Sequence, residues 1–207
     1  MLSPDIEFAL LHMPSSLREA FGALFEIDAA MADVVARSTD PALGRIKLAW
    51  WREQLEALDD NPPPAEPRLA AAADHLLGIG ISGAALAALE PGWATLLYPE
   101  VDPKLVADRG SALFEIGGRL LGADEDKLSE AGALYALASV GRRGVPELIE
   151  PANDCLQRVR GHRFQRRVRP LTMLARAVAR DLDREEPEGV RARAAAMLSH
   201  RWSGRIG

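Results

Sequence analysis

Apolar residues recur along this chain at helical spacing, and prolines and glycines cut that pattern into segments. The clearest run starts after Pro14-Ser15-Ser16 and places Leu17, Phe21, Leu24, Phe25, Ile27, Met31 and Val35 on a wide stripe. Ser16, with Glu19 three residues on, reads as a capping box opening a helix over Ser15–Val35. Asp40-Pro41 and Asp102-Pro103 each read as a cap followed by a first-turn proline. They predict helices to about Leu58 and about Leu121, the second closed by Gly122. Four prolines in DDNPPPAEP, residues 59–67, exclude helix there and predict a stiff loop. Further helices are expected over Arg68–Leu77, Ala84–Leu89, Trp93–Leu97, Asp124–Arg142, Pro146–Val159, Leu171–Asp183 and Glu188–His200. Pro91-Gly92 should break the fourth pattern from the fifth, and Pro151 could kink the segment around it. No alternating strand pattern competes. The expected fold is all-α, a single-domain antiparallel helical bundle spanning residues 1–207.

Charge and composition narrow the function classes. A net charge of −5 argues against general nucleic-acid binding. The lone Cys155 excludes an intrachain disulfide, leaves too few thiols for an ordinary zinc site, and reads as a buried small residue. His12, His75, His162 and His200 show no ligand spacing. The N-terminus has no signal-peptide pattern and no apolar run reaches the roughly 18 residues a membrane span needs, so the expected place is the cytoplasm, with room for peripheral membrane contact. One charge feature stands out in this acidic chain: Arg158, Arg160, His162, Arg163, Arg166, Arg167 and Arg169 lie in a stretch with no acid. It reads either as a site for an anionic partner or as a solvated loop.

Three stretches resemble the squalene/phytoene synthase family: FALLHMPSSLREAFGALFEIDAAMADVVA (8–36), ALGRIKLAWWREQLEAL (42–58), and the pair RGSALFEIGGRLLG (109–122) and AGALYALASVGRRG (131–144). The resemblance implies the isoprenoid (terpenoid) synthase type of bundle around a central cavity. It also implies two DxxxD motifs facing each other, whose i and i+4 carboxylates share a helix face and hold magnesium against a substrate diphosphate. Aligned on Ala23-Leu24, the first motif falls on Ala32 and Ala36, with Asp33 one residue along and Asp28 one turn earlier. Aligned on Gly132 and Arg142, the second falls on Arg143 and Glu147. Two alanines and an arginine at three of four positions oppose a magnesium cluster. The chain is similar in this loss, around residues 23–60, to a phytoene-synthase-related complex I assembly factor.

The expectation is therefore a divergent, catalytically inactive member, a pseudoenzyme with no metal, binding an unknown protein partner or an isoprenoid or other lipid-like ligand. The alternative is an active prenyl-diphosphate transferase with an altered site, which alone would call for Mg2+. A chance likeness on an unrelated helical scaffold is the third reading. Phe21, Phe25, Asp28, Gly132, Ala136 and Ser139 are the residues expected to line the cavity. Arg45, Arg52, Arg142 and Arg143 are the candidates for a phosphate or diphosphate, since guanidinium forks match phosphate oxygens. For Arg52 the competing reading is an i,i+4 pair with Glu56.

Overall fold

Four helices begin with one device, an oxygen-bearing side chain followed by proline. These are α1 (Pro4–Leu11), α3 (Pro41–Ala57), α4 (Pro67–His75) and α7 (Pro103–Leu120). Ser3, Asp40, Glu66 and Asp102 each accept a backbone N–H of the first turn, and the proline occupies a position whose N–H would have no helical partner. The remaining helices are α2 (Arg18–Arg37), α5 (Gly83–Ala87), α6 (Glu90–Ala94), α8 (Leu128–Gly141), α9 (Ile149–Val159), α10 (Arg169–Asp183) and α11 (Arg191–Ser203). The computed structural model describes residues 2–184 and 186–207; among them β pairing is limited to one isolated bridge, Arg163 with Arg205. The fold is the all-α bundle expected of an isoprenoid synthase.

Several boundaries differ from the sequence expectation, each for a local reason. The α1 helix was not expected, although Ser3-Pro4 carries the same signal as Asp40-Pro41. Ser15–Leu17 forms a 3-10 turn ahead of α2, and the α2 start makes no side-chain cap, so the capping box of Ser16 and Glu19 is not used. Pro91-Gly92 lies in the first turn of α6 rather than between helices, where a missing N–H is harmless. Pro151 likewise falls in the first turn of α9 and produces no break. The acids at 124–126 precede α8 instead of starting it, because Glu125 is held by the basic loop: its carboxylate accepts from the Gln165 backbone N–H at 2.8 Å and lies 2.7 Å from His162 Nε2.

The core runs through α2, α7, α8 and α10, with Phe21, Leu24, Ile27, Leu113, Phe114, Leu134, Leu171 and Leu174 all buried. The α7 and α8 helices cross most closely at Gly110 and Gly132, where a Cβ built on either glycine would lie 2.1 Å from the carbonyl oxygen of the other. Only glycine permits that separation. Ala136 packs against Gly110 at the same crossing. Trp51 is buried and Trp50 is exposed, the 100° offset of adjacent helical residues placing them on different faces of α3.

Buried ions tie the chain's two ends together. Arg193 of α11 donates to Asp5 of α1 and to Asp181 of α10, and Arg142 after α8 reaches the same Asp181 oxygen at 2.8 Å. The basic stretch is also structural in large part. Arg169 is buried and donates to the carbonyls of Phe164 and Trp202, at 2.9 and 2.7 Å, while Arg163 and Arg167 donate to the carbonyls of Ser203 and Gly122. Cys155 is buried, and burial pushes its thiol up.

Candidate functional site

A cavity of about 400 Å³ opens beside α2. That helix supplies Phe25, Asp28, Ala29, Ala32, Asp33 and Ala36; α8 supplies Tyr135, Ser139 and Val140; Trp93 comes from α6 and Arg109 from α7. Val35 on α2, Leu96 after α6, the N-terminal residues Leu2, Ser3 and Ile6 and, after α8, Arg143 and Val145 complete the wall. Spacing explains the α2 contribution, since positions 25, 28, 29, 32 and 36 repeat at three and four residues and share one face.

Asp28 is the one carboxylate in this wall buried in the core. Arg109 Nη1 donates to both its oxygens, at 2.7 and 2.9 Å, and the Trp93 indole N–H donates to Oδ1 at 2.8 Å. The Arg109 guanidinium carbon sits 3.9 Å from the centre of the Trp93 ring, within cation–π range. Gly92 makes the approach possible, because a Cβ there would lie 2.4 Å from Arg109 Cβ. Arg109 Nε is buried and, among the described residues, has no hydrogen-bond partner. Tyr135 packs its ring on Phe114, and burial pushes its phenol well above the ordinary tyrosine value. Among the described residues, neither the Tyr135 nor the Ser139 hydroxyl makes a hydrogen bond.

The rim is made of exposed pairs. Asp33 faces Arg37 at 3.8 Å, and Arg143 donates to Glu188 at 2.8 Å. The wall therefore holds two carboxylates and two guanidiniums, each facing a partner of opposite charge.

Of the residues singled out from the sequence, Phe25, Asp28, Ala32, Asp33, Ala36, Ser139 and Arg143 meet at this cavity. Phe21 does not: it is fully buried and packs toward Gly117 of α7. Gly132 and Ala136 serve the α7–α8 crossing rather than the cavity. Glu147 is exposed on the 3-10 turn Pro146–Leu148, away from the wall, because α8 ends at Gly141 and the i,i+4 geometry of a motif over 143–147 is lost. Arg142 serves the ion network around Asp181. Arg45 and Arg52 lie elsewhere. Arg45 donates to the Tyr98 hydroxyl at 3.1 Å, and Arg52 stands 4.0 Å from the buried Glu90 rather than pairing with Glu56. Burial raises the Glu90 pKa above the usual carboxylate range.

Sequence reading missed Arg109, Trp93 and Tyr135. Arg109 had a usable signal. It shares a buried stripe with Val106, Gly110, Leu113, Phe114 and Gly117, and a charge in such a stripe calls for a buried partner.

The resemblance implies magnesium, and these donors do not fit it. Both Asp28 oxygens are taken by Arg109, Ala32 and Ala36 offer no ligand, and Arg143 is a cation. Among the described residues, no three His, Cys, Asp or Glu side chains come together as a metal site needs.

Residues 3–89, from α1 through α5, match the squalene/phytoene synthase family. Over that segment the chain is squalene/phytoene synthase-like. The match includes the α2 wall of the cavity and stops before α6, so Trp93, Arg109 and the α8 wall of the synthase-like protein lie beyond it. No curated protein and no solved structure matches the chain. Among the described residues, no helix is long and apolar enough to cross a membrane.

Proposed function

We propose that this synthase-like protein is a non-catalytic binding protein of the cytoplasm that holds a lipid-like ligand in the cavity between α2 and α8. The observation that carries the reading is the state of Asp28. The buried carboxylate nearest the first motif is neutralised by an arginine of the chain itself, where an active synthase needs carboxylates free to hold metal. Ionising a prenyl diphosphate requires positive charge placed on the departing diphosphate. Here the guanidiniums in the wall, Arg109 and Arg143, are each engaged by a carboxylate. The scaffold offers an apolar enclosure of a size ordinary for small-molecule sites, without the charge arrangement for ionisation.

The test is a turnover assay. Purified protein is incubated with farnesyl or geranylgeranyl diphosphate and magnesium, and released diphosphate and hydrocarbon product are measured. The proposal expects neither product. Magnesium-dependent release abolished by Asp33→Asn would establish the alternative, a prenyl-diphosphate transferase with an altered metal site.

A protein partner is the second reading. It rests on Leu43, Ile46 and Trp50, exposed apolar side chains within one stripe of α3.

A further inference from the structure

We infer that the ligand of this cavity is uncharged: a mainly aliphatic molecule of about ten to fifteen carbons with a single hydroxyl or carbonyl group at its polar end. The inference rests on the ligand-binding reading above and specifies its chemistry.

Charge is the first argument. The buried pair Asp28–Arg109 is closed on itself, with side chains 8% and 2% exposed. A diphosphate entering the cavity would bring negative charge against Asp28 and find Arg109 already neutralised. Burying that charge without a dedicated counter-ion is prohibitive, whereas a neutral head group escapes the cost. Arg143 at the mouth is held by Glu188 and adds no unmatched positive charge.

Hydrogen bonding is the second argument. The Tyr135 and Ser139 hydroxyls line the same cavity and make no hydrogen bond among the described residues. Two hydroxyls suit a neutral oxygen, which accepts from the phenol and, if it is a hydroxyl, donates to Ser139. Phe25, Ala29, Ala32, Val140 and Leu96 leave the rest of the wall apolar.

Size is the third argument. At ~30 Å³ per water in the liquid, the volume equals about 13 waters, and a methylene occupies a similar space. That admits a chain of about ten to fifteen carbons and excludes long polyprenyl tails from full enclosure.

The experiment compares farnesol, farnesyl diphosphate and dodecane by titration calorimetry, each with and without magnesium. Farnesol is expected to bind one to one, at least tenfold tighter than farnesyl diphosphate, with no change on adding magnesium. Tyr135→Phe and Ser139→Ala should each weaken farnesol by about 2- to 10-fold, the range for one neutral hydrogen bond, and leave dodecane unchanged. Ala32→Phe, at a half-exposed position, should fill the cavity and abolish binding, with circular dichroism and the urea midpoint checking that it folds. Ser139→Leu is a second blocking variant. Farnesyl diphosphate binding more tightly than farnesol, and still blocked by Ala32→Phe, would overturn the neutral-ligand inference and leave the ligand-binding reading standing. Absence of binding by all three probes would sink both.

Discussion

Replacing Asp28 by asparagine keeps the shape of the side chain and an acceptor for the Trp93 indole, but strands the charge of Arg109. The structure sets the scale. At 2.7 Å and an effective dielectric of about 20, the Coulomb attraction between the two groups is about 6 kcal/mol. Desolvation of two ions offsets part of it, so the pair itself is worth little compared with an apolar replacement. Breaking it from one side is different, because the remaining charge stays buried with no counter-ion. Asp28→Asn should therefore lose about 3–5 kcal/mol, a large part of the roughly 5–15 kcal/mol that holds a domain together. Arg109→Met should lose a similar amount. The double variant Asp28→Asn/Arg109→Met should recover most of the loss, since it leaves no charge behind. Urea unfolding followed by far-UV circular dichroism gives each value, and the three variants with wild type close a double-mutant cycle. A loss below about 1 kcal/mol in Asp28→Asn, or simple additivity in the double variant, would refute the argument. Either result would mean that water reaches the pair and that its charges are open to outside partners, which would also weaken the case against a charged ligand.

Stability should depend on acid through His200. Burial lowers its pKa to about 4 from an ordinary value of 6.5. The unfolded chain takes up a proton below about 6.5 that the folded chain refuses. This contribution to stability is thus intact above that pH, declines as pH falls, and reaches a loss of about 3 kcal/mol near pH 4. His200→Asn should remove that component from a plot of unfolding free energy against pH; an unchanged slope between pH 6.5 and 4 would rule out a neutral buried imidazole. Gly110→Ala should destabilise by about 1–3 kcal/mol or more, because its Cβ would meet the Gly132 carbonyl and force α7 from α8; a neutral urea midpoint would contradict that crossing. Arg45→Gln and Arg52→Gln should each change stability by less than about 1 kcal/mol and leave farnesol affinity as it was, since neither side chain reaches the cavity. A clear loss of farnesol binding in either would move the site toward α3.

The helices were legible because the interactions that start and stop them are local. Asp40-Pro41 and Asp102-Pro103 announce α3 and α7 through hydrogen bonds spanning two residues, and Ser3-Pro4 carried the same message unread. The missing carboxylates were legible too, since i and i+4 on α2 fall on one face whatever surrounds it, and Ala32 and Ala36 stand there. The second motif failed as a sequence reading because its spacing assumed that α8 continued; the helix ends at Gly141, and the turn that follows carries Glu147 away. The partner of Asp28 was out of reach for a different reason. Arg109 lies 81 residues along the chain, and Trp93 lies 65. No local rule pairs residues at that distance; packing of α6 and α7 against α2, allowed by a glycine at position 92, brings them together. Sequence alone thus determined that this chain is helical and that alanines stand at positions 32 and 36 of the α2 face. Only the tertiary structure decided that Asp28, the buried carboxylate of the cavity wall, is closed by an arginine, because a buried charge is settled by whatever the fold places beside it.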